Sequence, residues 1–383
     1  MNRRWLAIGT YLLLAIAVTA ILLARSGPKP DRAGRAPRAA DPSSVVVGTA
    51  RAPATTGAWY EVAFTSPAIP DRPSERSGGI EDRLIALMDR AQRTMDVCVY
   101  EFDLEDVADA MVRAARRGVR VRFVTDTDTV ENKNPRDQAL MAKLREANIP
   151  VVPDNRRPIM HNKFTVVDGE WIELGSWNYT INDTYRNNNN QVIIQSSELA
   201  ANYAAEFEKM FSAKQFGPAK PAGVPSPVLT IAGARVENYF SPEDRPAAHV
   251  IRWVNTARQR IHFLAFSFTH DGIGDAMLER ARSGVQVAGV FEAAGSDTRF
   301  SEYGRLKTAG LDVLLDGNPR NMHHKVIIID DRITIFGSFN FSSNADREND
   351  ENLLIVDDPG LAAAFEAEYQ RLRTVAANPP GRR

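Results

Sequence analysis

The sequence has 383 residues, enough for about two domains, and its formal net charge is −1 at pH 7. A near-neutral chain lacks the overall basicity typical of nucleic-acid-binding proteins and the acidity typical of disordered chains, although local charge can still bind either kind of partner. The single cysteine, Cys98, excludes an internal disulfide. It lies in the apolar stretch MDVCVYEF and is predicted to be a buried strand residue.

The N-terminus predicts a membrane segment. Two arginines precede an uncharged apolar run from Trp5 to Ala24, and about twenty helical residues cross the roughly 30 Å core of a bilayer. We therefore predict one N-terminal transmembrane or signal-anchor helix within residues 1–25, with a cleaved signal sequence as the alternative. The very short leading tail favours export of the remainder, although the basic residues after the run weaken that orientation. The predicted location is membrane-anchored and periplasmic or extracytoplasmic, or secreted after cleavage.

Composition divides the remainder of the chain. Residues 26–57 are rich in proline, arginine and alanine and are predicted to be a disordered linker. Residues 58–211 and 228–375 have globular patterns and are predicted to be two repeats. Between them, residues 212–227 contain four prolines and two glycines and are predicted to connect the halves.

The two halves repeat each other. VCVYEFDLEDVADAMVRAARRGVRVRFVTD, residues 97–126, matches FLAFSFTHDGIGDAMLERARSGVQVAGVFE, residues 263–292. Within the first copy, apolar residues such as Val107 and Met111 fall on one helical face, and Gly118 stands where a helix C-cap belongs. Alternating helices and strands predict an α/β fold of two pseudo-symmetric sandwich halves with mixed β-sheets.

Each half also contains the same polar motif. MHNKFTVVDGEWIELGSWNYT (160–180) and MHHKVIIIDDRITIFGSFNFSS (322–343) share His-x-Lys, then Asp after four residues, then Gly-Ser-x-Asn after six. A single His-x-Lys is common by chance, but two full copies at equal spacing predict a shared site. The candidate residues are His161, Lys163, Asp168, Ser176 and Asn178 from the first copy, and His323, Lys325, Asp330, Ser338 and Asn340 from the second.

These residue types suit a phosphodiester. Residues i and i+2 of a strand share one face, so the histidine and lysine of each copy should point the same way. Lysines neutralise phosphate oxygens, and serine and asparagine side chains donate hydrogen bonds to them. One neutral imidazole can attack phosphorus, while the other protonates the leaving oxygen and then activates water. Because cationic side chains can replace a metal ion, we expect no metal and no cofactor.

The two stretches resemble the paired His-x-Lys-x4-Asp-x6-Gly-Ser motifs of the phospholipase D superfamily, and the resemblance extends over roughly residues 60–375. It implies two similar α/β halves packed face to face, one site at their interface, and metal-independent transfer through a phosphohistidine. By position, the motif histidines and lysines belong to the catalytic set and the serines and asparagines bind the phosphate. Asp168 and Asp330 match motif aspartates, which are counted with the catalytic set but in the family tend to stabilise the fold.

One departure from the family pattern makes the site asymmetric. Such families often carry a downstream acid that hydrogen-bonds a catalytic imidazole; the second half offers Glu351, but the equivalent first-half residue is Asn189. An amide orients a ring but cannot stabilise an imidazolium by charge, so the two histidines should differ in pKa. Glu351 joins the candidate catalytic residues. The first motif often supplies the nucleophile in two-copy members, which predicts His161 as nucleophile and His323 as acid and base.

The motifs do not distinguish a phospholipid substrate from a nucleic-acid substrate, because the superfamily acts on both. The apolar N-terminal run and the near-neutral charge favour a phospholipid partner and a phospholipase D-type hydrolase or transferase. The alternative is an anchored or secreted endonuclease, since GSFNFSSNADRENDEN also resembles small endonucleases and cardiolipin hydrolases. A cardiolipin synthase-like transferase would usually carry two N-terminal spans, and two intact motifs disfavour an inactive binding module. Because one chain holds both motifs, we predict a monomer.

Other polar residues have structural interpretations. Five arginines between Arg113 and Arg122 fit a solvated helix face better than a track for a phosphate-rich substrate. His324 should lie on the strand face opposite His323. We therefore assign it a structural role.

Overall fold

A computed structural model describes residues 54–296 and 298–380. The predicted N-terminal helix and most of the predicted linker lie outside the described residues. Within the described ranges, no helix combines the length and hydropathy needed to cross a bilayer. The last residues of the predicted linker, Ala54–Thr56, form a short strand, because their backbone pairs with Tyr60–Phe64 at the edge of a sheet.

The described residues form two eight-stranded sheets, one in each half. The first-half strands are β1 (Ala54–Thr56), β2 (Tyr60–Phe64), β3 (Thr94–Val99), β4 (Arg120–Thr125), β5 (Val151–Pro153), β6 (Lys163–Val167), β7 (Trp171–Gly175) and β8 (Asn190–Gln195). The second-half strands are β9 (Val228–Ile231), β10 (Ala234–Ser241), β11 (Arg260–Ala265), β12 (Gln286–Phe291), β13 (Asp312–Leu315), β14 (Lys325–Ile329), β15 (Ile333–Gly337) and β16 (Glu351–Asp357).

The α-helices repeat less strictly between the halves. Those of the first half are α1 (Ile80–Arg90), α2 (Glu105–Arg116), α3 (Thr127–Glu131), α4 (Pro135–Glu146), α5 (Ile181–Tyr185) and α6 (Ser197–Phe211). Those of the second half are α7 (Pro246–Val254), α8 (Asp271–Arg282), α9 (Ala293–Ser296), α10 (Glu302–Thr308), α11 (Ser343–Arg347) and α12 (Pro359–Ala377).

The two sheets share one topology. The first has the order β1-β2-β8-β7-β6-β3-β4-β5, and the second has the corresponding order β9-β10-β16-β15-β14-β11-β12-β13. In each sheet the last three strands are parallel and the other neighbours are antiparallel. The prediction of two pseudo-symmetric α/β halves with mixed sheets is therefore confirmed.

The repeated helices end as the sequence predicts. Gly118 follows α2 with φ +90°, and Gly284 follows α8 with φ +91°. This left-handed backbone favours glycine and stops the helix. The equivalent helices α6 and α12 begin at capping side chains, since Ser196 accepts from Leu199 N–H and Asp358 accepts from Leu361 N–H.

A central core joins the halves. Side chains of α6 and α12 pack between the two sheets, together with inward residues such as Phe164 of β6 and Ile328 of β14. The alternate residues of the same strands, such as Val167 and Ile329, pack outward against the remaining helices of their own half. Both faces of each sheet are thus buried, which explains why Val326–Ile329 is an unbroken apolar run.

The polar motifs meet at the end of the two sheets where the central strands β6 and β14 begin. We call this end of the sheets the motif edge. Here the backbone of each half bonds to the other. His161 N–H donates to the carbonyl of Asp350 at 2.9 Å, and His323 N–H donates to that of Asn188 at 2.8 Å. The residues just before β8 and β16 are thereby fixed beside the motif histidine of the opposite half.

The connecting segment also packs against the motif edge. Residues 212–227 contain a short 3-10 turn, Gly217–Ala219, and bury the side chain of Lys220. Lys220 Nζ lies 2.9 Å from Asp350 Oδ1, and Gly217 N–H donates to the same oxygen at 2.7 Å. Its proline-rich composition predicted only a connection, whereas the structure uses it to hold the residue before Glu351.

The motif aspartates lie at the end of β6 and β14 opposite the motif edge. Asp168 accepts the N–H groups of Gln92, Arg93 and Thr94 at 2.7 to 2.9 Å. Asp330 accepts the three equivalent groups before β11 at 2.8 to 2.9 Å. Their inclusion in the catalytic set is therefore corrected, because both carboxylates are used by the backbone of the fold.

Replacing Asp168 with alanine should destabilise the protein without altering the site. Three backbone N–H groups lose their acceptor, so we expect the free energy of unfolding to fall by about 1 to 3 kcal/mol. Burial alone would raise the pKa of Asp168, but those N–H groups lower it overall. The stabilisation is therefore present above about pH 4 and is lost in acid, where the variant and wild-type unfolding temperatures should converge.

Asp89→Ala is the matched control, because its carboxylate pairs with Arg113 on an exposed helix surface. Its loss should change the free energy of unfolding by at most about 1 kcal/mol. Thermal unfolding followed by circular dichroism measures both variants. An Asp168→Ala protein with wild-type stability would contradict the assignment.

Candidate active site

Each motif histidine contacts a side chain from the other half. His161 Nδ1 lies 2.7 Å from Glu351 Oε2, and His323 Nδ1 lies 2.9 Å from Asn189 Oδ1. Both rings are buried. The structure therefore brings the predicted histidines and Glu351 together at the junction of the halves, and it shows that Glu351 pairs with the histidine of the first motif.

The motif serines contact the side chains that pair with the two histidines. Ser338 Oγ donates to Glu351 Oε2 at 2.7 Å, and Ser176 Oγ donates to Asn189 Oδ1 at 2.8 Å. A hydroxyl has one proton to donate, and here it is already engaged. Ser176 and Ser338 thus contact the partners of the two histidines, and their predicted phosphate-binding role stays a prediction.

The glycine before each serine is required by close packing. A side chain at Gly175 would overlap the carbonyl oxygen of Asn190, and one at Gly337 would overlap that of Asn352. The bare backbone lets Ser176 N–H reach the Asn190 carbonyl at 3.2 Å. The glycine of each Gly-Ser pair therefore allows the serine hydroxyl to lie beside the start of β8 or β16.

Hydrogen bonds fix the orientation of the His323 ring. Asn189 Nδ2 donates to the backbone carbonyl of Asp183 at 3.0 Å, which turns Oδ1 of the same amide towards His323. Because that oxygen can only accept, His323 Nδ1 carries the proton. The other ring nitrogen, Nε2, is left for chemistry.

The motif lysines begin their strands and are almost fully buried. Lys163 Nζ donates to the carbonyl of His161 at 2.8 Å, and Lys325 Nζ donates to that of His323 at 2.7 Å. Each ammonium is therefore held beside the histidine of its own motif. The positive charge of each lysine therefore lies close to its own motif histidine.

A matched aromatic wall covers each lysine. Tyr100 lies 5.3 Å from Lys163 Nζ and its ring centroid is 5.1 Å from that of His161. Phe266, the equivalent residue after β11, lies 4.7 Å from the second motif lysine and 4.5 Å from the His323 ring. The sequence analysis missed this pair, although an aromatic residue directly after both repeated strands was the available signal.

The motif asparagines have free capacity for a ligand. The side-chain oxygens of Asn178 and Asn340 are buried without a hydrogen-bond partner in the described part of the chain. Buried polar atoms are normally satisfied, so these carboxamides are the motif groups best placed to contact a bound molecule. Their predicted phosphate-binding role stays a prediction.

Charge and burial set the electrostatics of the site. Burial lowers the pKa of Lys163 to about 8, and burial followed by Lys163 itself lowers that of Lys325 well below its usual range. Burial, then the lysine charges, lowers the pKa of His161 and His323 well below their ordinary values. Burial raises the pKa of Glu351 to about 8. A bound anion would offset this crowding of cationic groups.

Other candidates lie outside the site. Arg113 pairs with Asp89, and Arg122 pairs with Asp96 and Glu208, so these arginines are engaged in the fold. His324 is buried in the core between the halves, with Nε2 3.2 Å from Glu368 and Nδ1 2.8 Å from Asn190 Nδ2. The structural interpretation of His324 is confirmed.

Ser338→Ala distinguishes a role in orienting Glu351 from direct binding of the phosphate. It removes one hydrogen bond to the Glu351 carboxyl group, so we expect kcat to fall about 10- to 100-fold with little change in KM. Steady-state kinetics on a cleaved phosphodiester separates the two constants. A large rise in KM with unchanged kcat would instead indicate direct phosphate binding. Ser343→Ala, at an exposed residue of α11, is the control.

Comparison with known proteins agrees with this geometry. The family described as "Cardiolipin synthase, PLD-like domain" matches residues 84–211 and again 250–373. The mitochondrial cardiolipin hydrolase of Chlamydomonas reinhardtii is 28% identical over 182 residues, covering 43% of this chain and 80% of that protein. The phospholipase D of Rickettsia bellii is 31% identical over 138 residues, covering 36% of this chain and 69% of that protein.

A solved structure extends the likeness over both halves. Phosphatidylserine synthase from Haemophilus influenzae superposes with a TM-score of 0.59 at 15% identity, covering 82% of this chain and 86% of that one. This similarity concerns the fold. Together with the double family match, the fold and the two motifs show that the chain belongs to the phospholipase D superfamily.

Proposed function

We propose that this chain is a phospholipase D-type phosphodiesterase that hydrolyses phospholipids, or transfers their phosphatidyl group, through a phosphohistidine and without a metal ion. One observation carries the proposal. Two buried histidines are each oriented through Nδ1 by the opposite half and lie beside two buried lysines. One site thus contains a nucleophile, a proton donor and two lysines that can bind an anion.

In the first step, Nε2 of His161 attacks phosphorus. A nitrogen–phosphorus bond forms, and the bond between phosphorus and the head-group oxygen breaks. The leaving oxygen takes a proton from Nε2 of His323, which must therefore enter the step as an imidazolium. Glu351 can stabilise the positive charge that His161 gains when phosphorylated, because its carboxyl oxygen lies 2.7 Å from Nδ1.

In the second step, the now neutral His323 removes a proton from water or from an acceptor alcohol. That oxygen attacks phosphorus, the nitrogen–phosphorus bond breaks, and His161 is released. Water gives phosphatidic acid, whereas an alcohol gives a new phosphatidyl ester. The same site therefore supports hydrolysis and transfer.

The charge of the substrate complements the charge of the site. The negative phosphodiester offsets Lys163 and Lys325, which are the main charges that lower the pKa of the histidines after burial. Binding should therefore raise the pKa of His323 towards the range needed for a proton donor. Asn178 and Asn340 donate to the phosphate oxygens through their side-chain Nδ2 groups.

Surface features favour a lipid as the substrate. Phe300, between α9 and α10, is 50% exposed, and Ile69, on the segment after β2, is 37% exposed. Exposed apolar side chains can contact a bilayer surface. The relatives named cardiolipin hydrolase and phospholipase D support the same substrate class, and the near-neutral charge offers no general attraction to nucleic acid.

The N-terminal residues complete the proposal. An anchor within residues 1–25 would hold an exported catalytic part beside a membrane, and cleavage would release it as a secreted enzyme. Both motifs lie in one chain, so we propose that a monomer is active. Fractionation of cells producing the full chain tests the location.

The test of function uses the full chain with phosphatidylcholine vesicles, a little ethanol and EDTA. We expect phosphatidic acid and phosphatidylethanol, both detected by mass spectrometry. His161→Ala and His323→Ala should each reduce turnover by at least about 1,000-fold, because each removes a reacting group. His249→Gln, a histidine stacked on Tyr239 outside the site, should retain activity.

Parallel reactions with single- and double-stranded DNA decide between the substrate classes. Cut DNA with intact lipid would make the protein an endonuclease and overturn the lipid assignment. No product from either substrate would favour an inactive binding module. Loss of activity in EDTA that returns only with added metal would contradict the metal-free mechanism.

The site electrostatics predict an alkaline limit to activity. Lys163 loses its proton near pH 8, and the loss of this positive charge disfavours an anionic substrate. We expect kcat/KM to fall above about pH 8, approaching tenfold per pH unit. A phosphocholine ester does not titrate in this range, so the fall in kcat/KM above pH 8 must come from a group of the enzyme. A value still rising at pH 10 would contradict this account.

A further inference from the structure

The two half-sites differ by the position of one carboxylate. Glu351 opens β16 and pairs with His161, whereas the equivalent residue before β8 is the neutral Asn189. The short helices α5 and α11 that precede these strands differ in the opposite sense. Asp183 is the third residue of α5, and Ala345 is the third residue of α11. At this aligned position the half that lacks the glutamate has an acid, whereas α11 has its own acid, Asp346, one residue later.

Asp183 lies where that charge can act on His323. Its side chain is buried, and Oδ2 is 3.5 Å from His323 Nδ1. The same oxygen accepts the N–H of Asn178 at 2.8 Å, while Oδ1 accepts from Asn187 Nδ2 at 2.5 Å. Two hydrogen bonds thus hold the carboxylate beside the histidine, and its negative charge also acts on both motif lysines.

The charged and titratable surroundings of His323 are otherwise unfavourable to an imidazolium. Asn189 contributes an oriented dipole without charge, and the nearby groups that oppose protonation are Lys325, Lys163, His161 and His324. Asp183 is the carboxylate that reaches Nδ1 within ion-pair distance among the described residues. A proton donor in this position requires such a counter-charge.

We infer that Asp183 is a positioning residue that supplies the negative charge stabilising the His323 imidazolium, in place of an acid at residue 189. The inference rests on the proposed function, in which His323 protonates the leaving oxygen. Asp183 touches neither the substrate nor the reacting atoms. Its effect should therefore depend on how much the departing alcohol needs a proton.

The experiment compares two lipids that differ only in the leaving group: phosphatidylcholine and the phosphatidyl ester of p-nitrophenol, a much more acidic alcohol. For Asp183→Asn we expect kcat on phosphatidylcholine to fall about 10- to 100-fold, with less than about a threefold loss on the p-nitrophenyl ester. In Asp183→Asn/Asn189→Asp, which places a carboxylate directly against Nδ1, kcat on phosphatidylcholine should recover at least about tenfold. Equal losses on both lipids, or no loss on phosphatidylcholine, would overturn the inference.

Asp346→Asn is the matched control, because Asp346 is a buried acid on α11 that accepts the N–H of Ala247 and does not contact the site. It should show no leaving-group dependence even if its unfolding temperature falls. If Asp183→Asn does not fold, the double variant decides: activity on phosphatidylcholine supports the inference, and activity on the p-nitrophenyl ester alone overturns it. A wild-type protein inactive on both lipids would instead reject the proposed function.

Discussion

The architecture of the site depends on two backbone hydrogen bonds that cross between the halves. His161 N–H binds the Asp350 carbonyl, and His323 N–H binds that of Asn188. Each bond places a motif histidine beside the start of a strand of the opposite half, next to the side chain that contacts its Nδ1. Neither half supplies the Nδ1 partner of its own histidine, so the packing of α6 and α12 in the shared core positions the candidate site as well as stabilising the fold.

The pseudo-symmetry of the two halves duplicates the motif residues, and small departures from it can give equivalent residues different chemical roles. The lysines, serines, glycines and aromatic walls match from half to half, whereas the carboxylate partners do not. Glu351 Oε2 lies 2.7 Å from His161 Nδ1, whereas Asp183 Oδ2 lies 3.5 Å from His323 Nδ1. In the proposed reaction, one ring must accept a phosphoryl group and the other must carry a proton. Unequal charge placement is a physical means of separating these tasks.

Much of this arrangement could be predicted from local sequence. Repeated periodicity gave the α/β halves, and the identical spacing of the motifs identified the histidines and lysines. The roles of Ser176 and Ser338 could not, because a hydroxyl's partner depends on which strand lies beside it. The partner of Glu351 and the proximity of Asp183 to His323 depend on contacts between residues more than a hundred positions apart. One signal was nevertheless present in the sequence: Asp183 aligns with an alanine, Ala345, in the second copy.

Direct detection of the covalent intermediate tests the central claim, that the two histidines share one site with divided roles. His323→Ala would be mixed with the p-nitrophenyl phosphatidyl ester, quenched at alkaline pH and digested for mass spectrometry. The account predicts a burst of about one p-nitrophenolate per enzyme and a phosphatidyl group on His161, since attack needs no acid with this leaving group but water lacks its base. Full turnover without an adduct, or an adduct on another residue, would contradict it.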